Sequence, residues 1–250
     1  MLTDNPSVCF FDSGIGGLNL LYECVRRLPR VDFTYFADNF HVPYGNYSHD
    51  ELIRLTDAVF SEINLLKPSA AVVACNTVTA QCIDFLRKKY QFNIIGIQPA
   101  VKPASAVGGK CLLLATQATA KSVAVKSLVD KYGNGVTEIV ACPDLAGYIE
   151  ENIYNLSPEG VKKLLPDIKA DSVVLGCTHY VFAKDIIKDY YKCPVFDGIE
   201  GTAVHLCEKL GISDHSAKRA QKIGFRGGDA PKNRKIFNNL IRMRASVSLP

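Results

Sequence analysis

The stretch Lys67-Pro-Ser-Ala-Ala-Val-Val-Ala-Cys-Asn-Thr77 has a counterpart later in the chain, Lys169-Ala-Asp-Ser-Val-Val-Leu-Gly-Cys-Thr-His179. The lysines that open the two stretches have the same separation as Cys75 and Cys177 near their ends. Each stretch is a short valine-containing apolar run that passes into polar residues, which predicts a buried strand followed by the start of a helix. The repetition therefore indicates two similar halves that each contain this strand.

A second pair of segments supports the division into halves. Cys9–Ser13 and Cys111–Ala115 are both apolar runs that enter a polar turn, and their separation is nearly that of the paired cysteines. We therefore expect a first domain formed by 1–97 together with 201–250, and a second domain formed by 98–200.

Predicted strands and helices alternate along most of the chain. The strands are mostly apolar without polar alternation, which is typical of parallel sheets covered by helices on both faces. We therefore expect an α/β protein of two pseudo-symmetric flavodoxin-like domains with parallel sheets and an active site in the cleft between them. The predicted strands are 8–12, 33–38, 70–74, 93–97, 111–115, 137–142, 172–175 and 194–197. The predicted helices are 18–28, 48–66, 77–90, 119–132 and 182–190.

Composition narrows the class of protein. The chain has 250 residues, of which 48% are hydrophobic and 22% charged, as in an ordinary globular protein. No apolar run is long enough to span a membrane, and the N-terminus lacks the basic and apolar regions of a signal peptide. Nine cysteines spread through apolar segments are typical of a reduced protein, so we expect a cytoplasmic location.

The C-terminal segment 216–250 is strongly basic, with nine Lys and Arg residues against the single acid Asp229. Such a segment can bind nucleic acid. However, its basic residues alternate with apolar ones, including Ile223, Phe225, Ile236 and Phe237, as on an amphipathic helix with a solvated face. We therefore expect no nucleic-acid partner and no membrane contact.

Several common active-site motifs do not occur. Gly14-Ile-Gly16-Gly17 follows the first strand, but Asn19 stands where the dinucleotide fingerprint needs glycine. The chain also lacks the Walker, Cys-x-x-Cys, His-Glu-x-x-His and Gly-x-Ser-x-Gly patterns. We therefore expect neither a metal nor an organic cofactor.

Polar residues at strand ends remain as candidates. The Asp12–Gly14 turn has free backbone N–H groups that suit a carboxylate or a phosphate. Cys75 and Cys177 each end an apolar strand and open a helix, where the helix N-terminus lowers the pKa of a thiol. Taken alone, each cysteine fits a buried structural thiol better than a catalytic one. As a symmetric pair facing one cleft, however, the two thiols could invert a carbon centre, one removing a proton and the other returning one.

Four motifs carry a family resemblance. Asp12–Gly17, Pro43–Gly45, Cys75–Thr77 and Gly176–Tyr180 resemble, in order and spacing, the signature motifs of the bacterial glutamate racemase family within the cofactor-independent aspartate/glutamate racemase superfamily. The resemblance covers most of residues 7–205. It implies two flavodoxin-like domains around the active site, glutamate as the substrate and frequent homodimers.

The resemblance also implies roles for individual residues. Cys75 would deprotonate D-glutamate with support from Asp12, and Cys177 would deprotonate L-glutamate. His179 and Glu150 would support Cys177, although the adjacent Glu151 is an alternative to Glu150. The substrate-binding residues implied are Asp12, Ser13, Tyr44, Gly45, Asn76, Thr77, Thr116, Thr119, Thr178 and His179.

Four functions are consistent with these sequence features. The leading hypothesis is a racemase that supplies D-glutamate for peptidoglycan. A sibling enzyme could use the same thiols on aspartate, a hydantoin or a related carbon acid. A two-lobed amino-acid-binding module would need the polar turns but neither thiol, and an interaction protein would use the basic C-terminal segment.

Overall fold

The computed structural model describes residues 6–133, 135–211 and 220–247. Within these residues, nine strands form two sheets in which every strand pairing is parallel. The five-stranded sheet contains β1 (Ser7–Asp12), β2 (Asp32–Ala37), β3 (Ala70–Val73), β4 (Asn93–Gly96) and β9 (Ile223–Arg226). The four-stranded sheet contains β5 (Cys111–Ala115), β6 (Thr137–Ala141), β7 (Ser172–Gly176) and β8 (Val195–Phe196).

The two sheets have the same internal topology. The first has the order β4-β3-β1-β2-β9 and the second the order β6-β5-β7-β8. In both, the first strand of the half lies between the second and the third, with the fourth beyond the third, which is the flavodoxin-like order. The predicted fold class is therefore confirmed. The proposed domain boundaries at 97/98 and 200/201 stay a prediction.

Helices cover both faces of each sheet. Side chains cap the N-termini of two of them: Ser48 and Glu51 form a reciprocal capping box, and Ser157 caps the helix that begins at Pro158. The helices are α1 (Leu18–Arg27), α2 (His49–Leu65), α3 (Asn76–Lys89), α4 (Val101–Ser105), α5 (Gln117–Lys121), α6 (Val123–Tyr132), α7 (Leu145–Asn152), α8 (Pro158–Lys163), α9 (Lys184–Tyr191), α10 (Ile199–Leu210) and α11 (Ala230–Val247).

Two predicted helices differ from the observed ones. The helix predicted over 119–132 is divided at Ser122, because this residue has an extended backbone and its hydroxyl caps α6 by accepting from the N–H of Val125 at 3.2 Å. The helix predicted from 182 starts earlier, as a tight 3-10 turn over His179–Ala183 that leads into α9. Cys177 is therefore followed by this short turn and not directly by an α-helix.

The basic C-terminal segment is only partly helical. Ile223 and Phe225 belong to β9, which pairs with β2 at the edge of the first sheet, so the prediction of a helix was wrong here. The helix pattern is correct for α11, which buries Ile236 and Phe237 against the first sheet. Local periodicity did not separate the two elements because the pairing of β9 with β2 joins distant parts of the chain. The basic residues Lys218 and Arg219 lie outside the described residues.

The core consists of apolar layers on the two faces of each sheet. Along β1, Val8 and Phe10 pack into the layer beneath α1 and α11, whereas Cys9 and Phe11 pack into the layer beneath α2 and α3. Burial of a side chain such as Phe10 or Phe11 contributes about 1.5–3 kcal/mol to the stability of the fold, which holds in place the strands that carry the site. In the part of the chain that the structure describes, no helix is long and apolar enough to cross a membrane.

Candidate active site

The carboxyl ends of the central strands of both sheets carry the candidate residues. Asp12 is the last residue of β1, Cys75 follows β3, Thr116 follows β5 and Cys177 follows β7. In each sheet these two strands are neighbours at the point where the strand order reverses, which is where open α/β sheets bind ligands. Hydrogen bonds between the two sets of strand ends, described below, show that they face each other.

Cys75 is buried in the first half of the site. Its thiol donates to the Oγ of Ser13 across 3.8 Å. Burial raises the pKa of Cys75 to about 12, with a further increase from the nearby charge of Asp12 and a smaller one from Cys177. The prediction that the helix N-terminus lowers the pKa of this thiol was therefore wrong, because desolvation outweighs the hydrogen bond from the N–H of Val78. At neutral pH Cys75 holds its proton.

Cys177 has a charged partner. The Nδ1 of His179 lies 4.0 Å from its sulfur, and the Nε2 of the same ring lies 2.8 Å from the Oε2 of Glu150. Burial alone would lower the pKa of His179, but its bonds to Cys177 and Glu150 outweigh burial and raise the pKa well above its usual range. The ring is therefore an imidazolium at neutral pH, and it can offer Nδ1–H to negative charge on the Cys177 sulfur.

Glu150 is the carboxylate behind this imidazolium. Burial would raise its pKa, but the hydrogen bond and the charge of His179 lower it to about 2. The backbone N–H of Ile15 donates to its Oε2 at 2.9 Å, and Gly14 leaves the space for that approach, because a Cβ at this position would lie 2.3 Å from Oε2. The turn predicted to hold an anion thus holds a carboxylate of the protein itself. Glu151, the alternative, is exposed.

Asp12, at the end of β1, forms a hydrogen bond with the second half of the molecule. Its Oδ1 accepts from the N–H of Gly14 at 2.9 Å, and its Oδ2 accepts from the hydroxyl of Thr178 at 3.1 Å. Burial raises the pKa of Asp12 to about 6, although the charge of His179 and both hydrogen bonds oppose the increase. An ionised Asp12 is therefore costly to keep in the folded protein.

Replacing Asp12 with asparagine is expected to stabilise the protein at pH 8 and to change little at pH 4. The folded pKa of about 6 lies above the ordinary value of 3.8, so the stability that the protonated carboxyl provides is present below pH 4 and is lost as the pH rises through 6. At about 1.4 kcal/mol per unit, the cost above that pH is roughly 3 kcal/mol. Urea unfolding should show Asp12→Asn to be about 1–3 kcal/mol more stable at pH 8. An equal difference at both pH values would contradict this explanation.

Three hydroxyl groups meet across the cleft. The Thr77 oxygen, at the start of α3, lies 3.0 Å from that of Thr116 and 3.1 Å from that of Thr119, both in the second half. Thr116 also donates to Thr119 at 2.9 Å. Gly45 lies against Thr116 so closely that a Cβ would be 2.5 Å from the threonine Cβ. These hydroxyls could donate to the oxygens of a carboxylate ligand.

The remaining predicted residues lie in the same region. Ser13 is buried in contact with the Cys75 thiol, and Asn76 is buried directly after Cys75 in the chain. Tyr44 is buried, with its hydroxyl donating to the Oδ2 of Asp38 at 2.8 Å. Sequence analysis missed Asp38 and two residues that contact Glu150. The side-chain amide of Asn39 donates to Oε1 at 2.9 Å, and the Nζ of Lys232 donates to the same oxygen at 3.1 Å.

The missed residues differ in whether a sequence pattern could have identified them. Asp38 and Asn39 directly follow β2, so the rule that polar residues at strand ends form sites could have found them. Lys232 lies on α11 among other basic residues, and nothing in its local pattern distinguishes it from them.

Comparison with known proteins identifies the family of this chain. The model of the Asp/Glu/hydantoin racemase family matches residues 27–206. A glutamate racemase of Clostridium acetobutylicum is 39% identical, and the match covers 86% of this chain and 88% of the relative. A glutamate racemase of Clostridium perfringens is 38% identical over 94% of this chain and 92% of the relative.

A solved structure agrees over nearly the whole chain. Glutamate racemase from Escherichia coli, in complex with L-glutamate and the activator UDP-MurNAc-Ala, superposes with a TM-score of 0.81 at 27% identity, and the match covers 95% of both chains. The chain therefore belongs to the Asp/Glu/hydantoin racemase family and is an amino-acid racemase.

Proposed function

We propose that the protein interconverts L- and D-glutamate without a cofactor, with Cys75 and Cys177 as the two bases. The observation that carries the proposal is the placement of the thiols. Each follows the third strand of its own half, at the switch point of a sheet, and the two are close enough for charge on Cys177 to raise the pKa of Cys75. A binding module would not need two such thiols.

The two sides of the site support different steps. For L-glutamate, the thiolate of Cys177 takes the Cα proton, and the bond's electron pair remains on a planar carbanion. The thiol of Cys75, which holds its proton at neutral pH, then donates that proton to the opposite face. The reaction of D-glutamate is the reverse. His179, held protonated by Glu150, stabilises negative charge on Cys177, and Asp12 would support Cys75.

Polar groups around the thiols would hold the substrate. The hydroxyls that bond to one another across the cleft can instead donate to a substrate carboxylate, which accepts hydrogen bonds strongly. Ser13 beside Cys75, and Thr178 beside Cys177, lie where they could contact groups on Cα. The proposed substrate-binding set is Asp12, Ser13, Tyr44, Gly45, Asn76, Thr77, Thr116, Thr119, Thr178 and His179.

Glutamate is proposed because the relatives matched over most of their length are named glutamate racemases. The proposal is tested by incubating the purified protein with each enantiomer of glutamate in buffer without cofactor, while optical rotation is followed. Both enantiomers should approach the racemate. A protein that racemises neither enantiomer, although it is folded, would contradict the proposal.

Aspartate is expected to be a poorer substrate than glutamate. One methylene group is worth about 1–3 kcal/mol in a pocket, so kcat/KM should be about 10–200 times higher for glutamate. Parallel initial rates on the two amino acids measure this ratio. Equal or higher kcat/KM on aspartate would indicate a sibling racemase of the same family.

The wider role follows from the product. We propose that the protein works in the cytoplasm, where its nine free cysteines remain reduced, and supplies D-glutamate for peptidoglycan. We also propose that it forms a homodimer, which light scattering of the purified protein would test. Each monomer would contribute the two domains 1–97 with 201–250 and 98–200.

A further inference from the structure

Lys232 connects the C-terminal helix to the candidate active site. Its Nζ lies 3.1 Å from the Oε1 of Glu150 and 3.1 Å from the backbone oxygen of the same residue. Its side chain is 25% exposed, so the contact is partly shielded from water. Lys235, three residues further along α11, instead lies over the exposed ring of Tyr154. The solvated-face prediction therefore fails at Lys232.

The start of α11 is fixed against the end of β2. Asp229 receives the N–H of Lys232 on its Oδ1 at 2.9 Å and donates its own N–H to the Oδ1 of Asn39 at 3.0 Å. Asn233, which is fully buried, donates its amide to the same Asn39 oxygen at 2.9 Å. Since Asn39 also donates to Glu150, Lys232 and Asn39 reach the carboxylate as a unit.

Among the described residues, four donors reach the Glu150 carboxylate, and they come from both halves of the molecule. Oε2 accepts from His179, which follows β7, and from the N–H of Ile15, which follows β1. Oε1 accepts from Asn39, which follows β2 of the first sheet, and from Lys232 on α11, which packs on that sheet. Glu150 itself lies on α7, whose apolar residues pack on the second sheet. Its orientation toward His179 thus depends on groups of the opposite half.

We propose that Lys232 is a positioning residue for the racemase reaction, which holds the Glu150 carboxylate ionised and oriented so that His179 remains a charged donor beside Cys177. This inference rests on the proposed function. Lys232 would not touch the substrate and would act only through Glu150.

The number of positive and negative charges around Glu150 and His179 supports this role. The groups that face Glu150 and His179 are Asp12, Cys177 and Lys232, together with the buried hydroxyl of Tyr35. A thiolate at Cys177 adds a third negative charge to a buried site that already contains Glu150 and Asp12, since Asp12 is ionised above its pKa of about 6. Two cations, His179 and Lys232, offset two of these three charges, and removal of Lys232 leaves two buried negative charges without a counterion. Uncompensated charge is costly in a buried site, so we expect the reaction to slow when Lys232 loses its charge.

The test compares four proteins: wild type, Lys232→Met, Lys232→Arg and Lys235→Met. Methionine keeps the aliphatic stem but removes the charge, and arginine keeps the charge. Lys235→Met is the matched control on the same helix. We expect Lys232→Met to lower kcat about tenfold or more for both enantiomers, with KM changed less than about threefold. Lys232→Arg should recover most of the activity, and Lys235→Met should match wild type.

Two further measurements separate positioning from folding. The midpoint of thermal unfolding of Lys232→Met should stay close to that of Lys235→Met. In a double-mutant cycle, Lys232→Met should lower kcat little further when Glu150 is already replaced with glutamine, because the lysine acts through that carboxylate. Since the two enantiomers are equally stable, kcat/KM must fall equally for both, which checks the assay internally.

Several results would overturn the inference. Lys232 would have no role in the reaction if Lys232→Met left kcat unchanged. The same conclusion would follow if Lys232→Arg lowered kcat as much as Lys232→Met, or if the effects of Lys232→Met and Glu150→Gln on kcat were fully additive. If Lys232→Met fails to fold, a low kcat of folded Lys232→Arg would also overturn the inference. Failure of the wild type to racemise glutamate would instead contradict the proposed function, so the two failures are distinguishable.

Discussion

Replacement of either Cys75 or Cys177 with alanine is expected to reduce racemisation of glutamate by about a thousandfold or more. Removal of a general acid or base typically lowers the rate about 10²–10⁴-fold, and in the proposed mechanism each thiol would be the base in one direction and the acid in the other. Both directions should therefore be lost in each variant. The measurement is the initial rate of change in optical rotation from each enantiomer.

The fold should survive both replacements. Cys75 and Cys177 lie at strand ends beside the cleft, with 5% and 7% exposure, so each change removes one sulfur atom at the margin of a core layer. Cys82→Ala and Cys111→Ala are matched controls, since these cysteines are at least as buried but lie away from the cleft, in the core layers on α3 and β5. The controls should remain active. More than a few per cent of activity in either cleft variant would remove that cysteine from the mechanism.

The internal repeat made much of the fold predictable. The end of a buried parallel strand is recognisable locally, where an apolar run meets polar residues, and a repeated pattern places such ends at equivalent points of two sheets. For this reason the repeat alone predicts Cys75 and Cys177 on opposite walls of one cleft, whereas a role for Thr116 is implied only by the family resemblance. Glu150 was distinguished from Glu151 only by the structure, because adjacent helix residues differ in the face that they present.

What the sequence did not reveal depends on distance along the chain and on burial. Lys232 meets Glu150 from 82 positions away, across the two halves, and local periodicity carries no information about such a contact. The pKa of Cys75 was predicted in the wrong direction for a related reason. A helix N-terminus contributes about 0.3–1 kcal/mol, whereas the depth of burial that dominates this pKa appears only in the packed structure.

In deuterium oxide, early racemisation is expected to label the product enantiomer at Cα while the remaining substrate stays unlabelled. The two-thiol mechanism takes the proton from one face with one cysteine and delivers a different one from the opposite face. Before turnover the delivering thiol exchanges its proton with solvent, so the product acquires deuterium. Proton NMR or mass spectrometry after separation of the enantiomers measures both pools at low conversion. Cys75→Ala should form no labelled D-glutamate from L-glutamate.

A single base gives a different distribution. A base that serves both faces returns either the original proton, which leaves both pools unlabelled, or an exchanged one, which labels both. The structure favours the two-thiol distribution, because Cys75 and Cys177 follow strands of different sheets and each has its own partners, Ser13 on one side and His179 on the other. Cys75 also has a pKa of about 12, so it holds a proton or deuteron for delivery when Cys177 is the base. Equal labelling of substrate and product at early times would therefore exclude the two-thiol mechanism, even if both cysteines proved essential for activity.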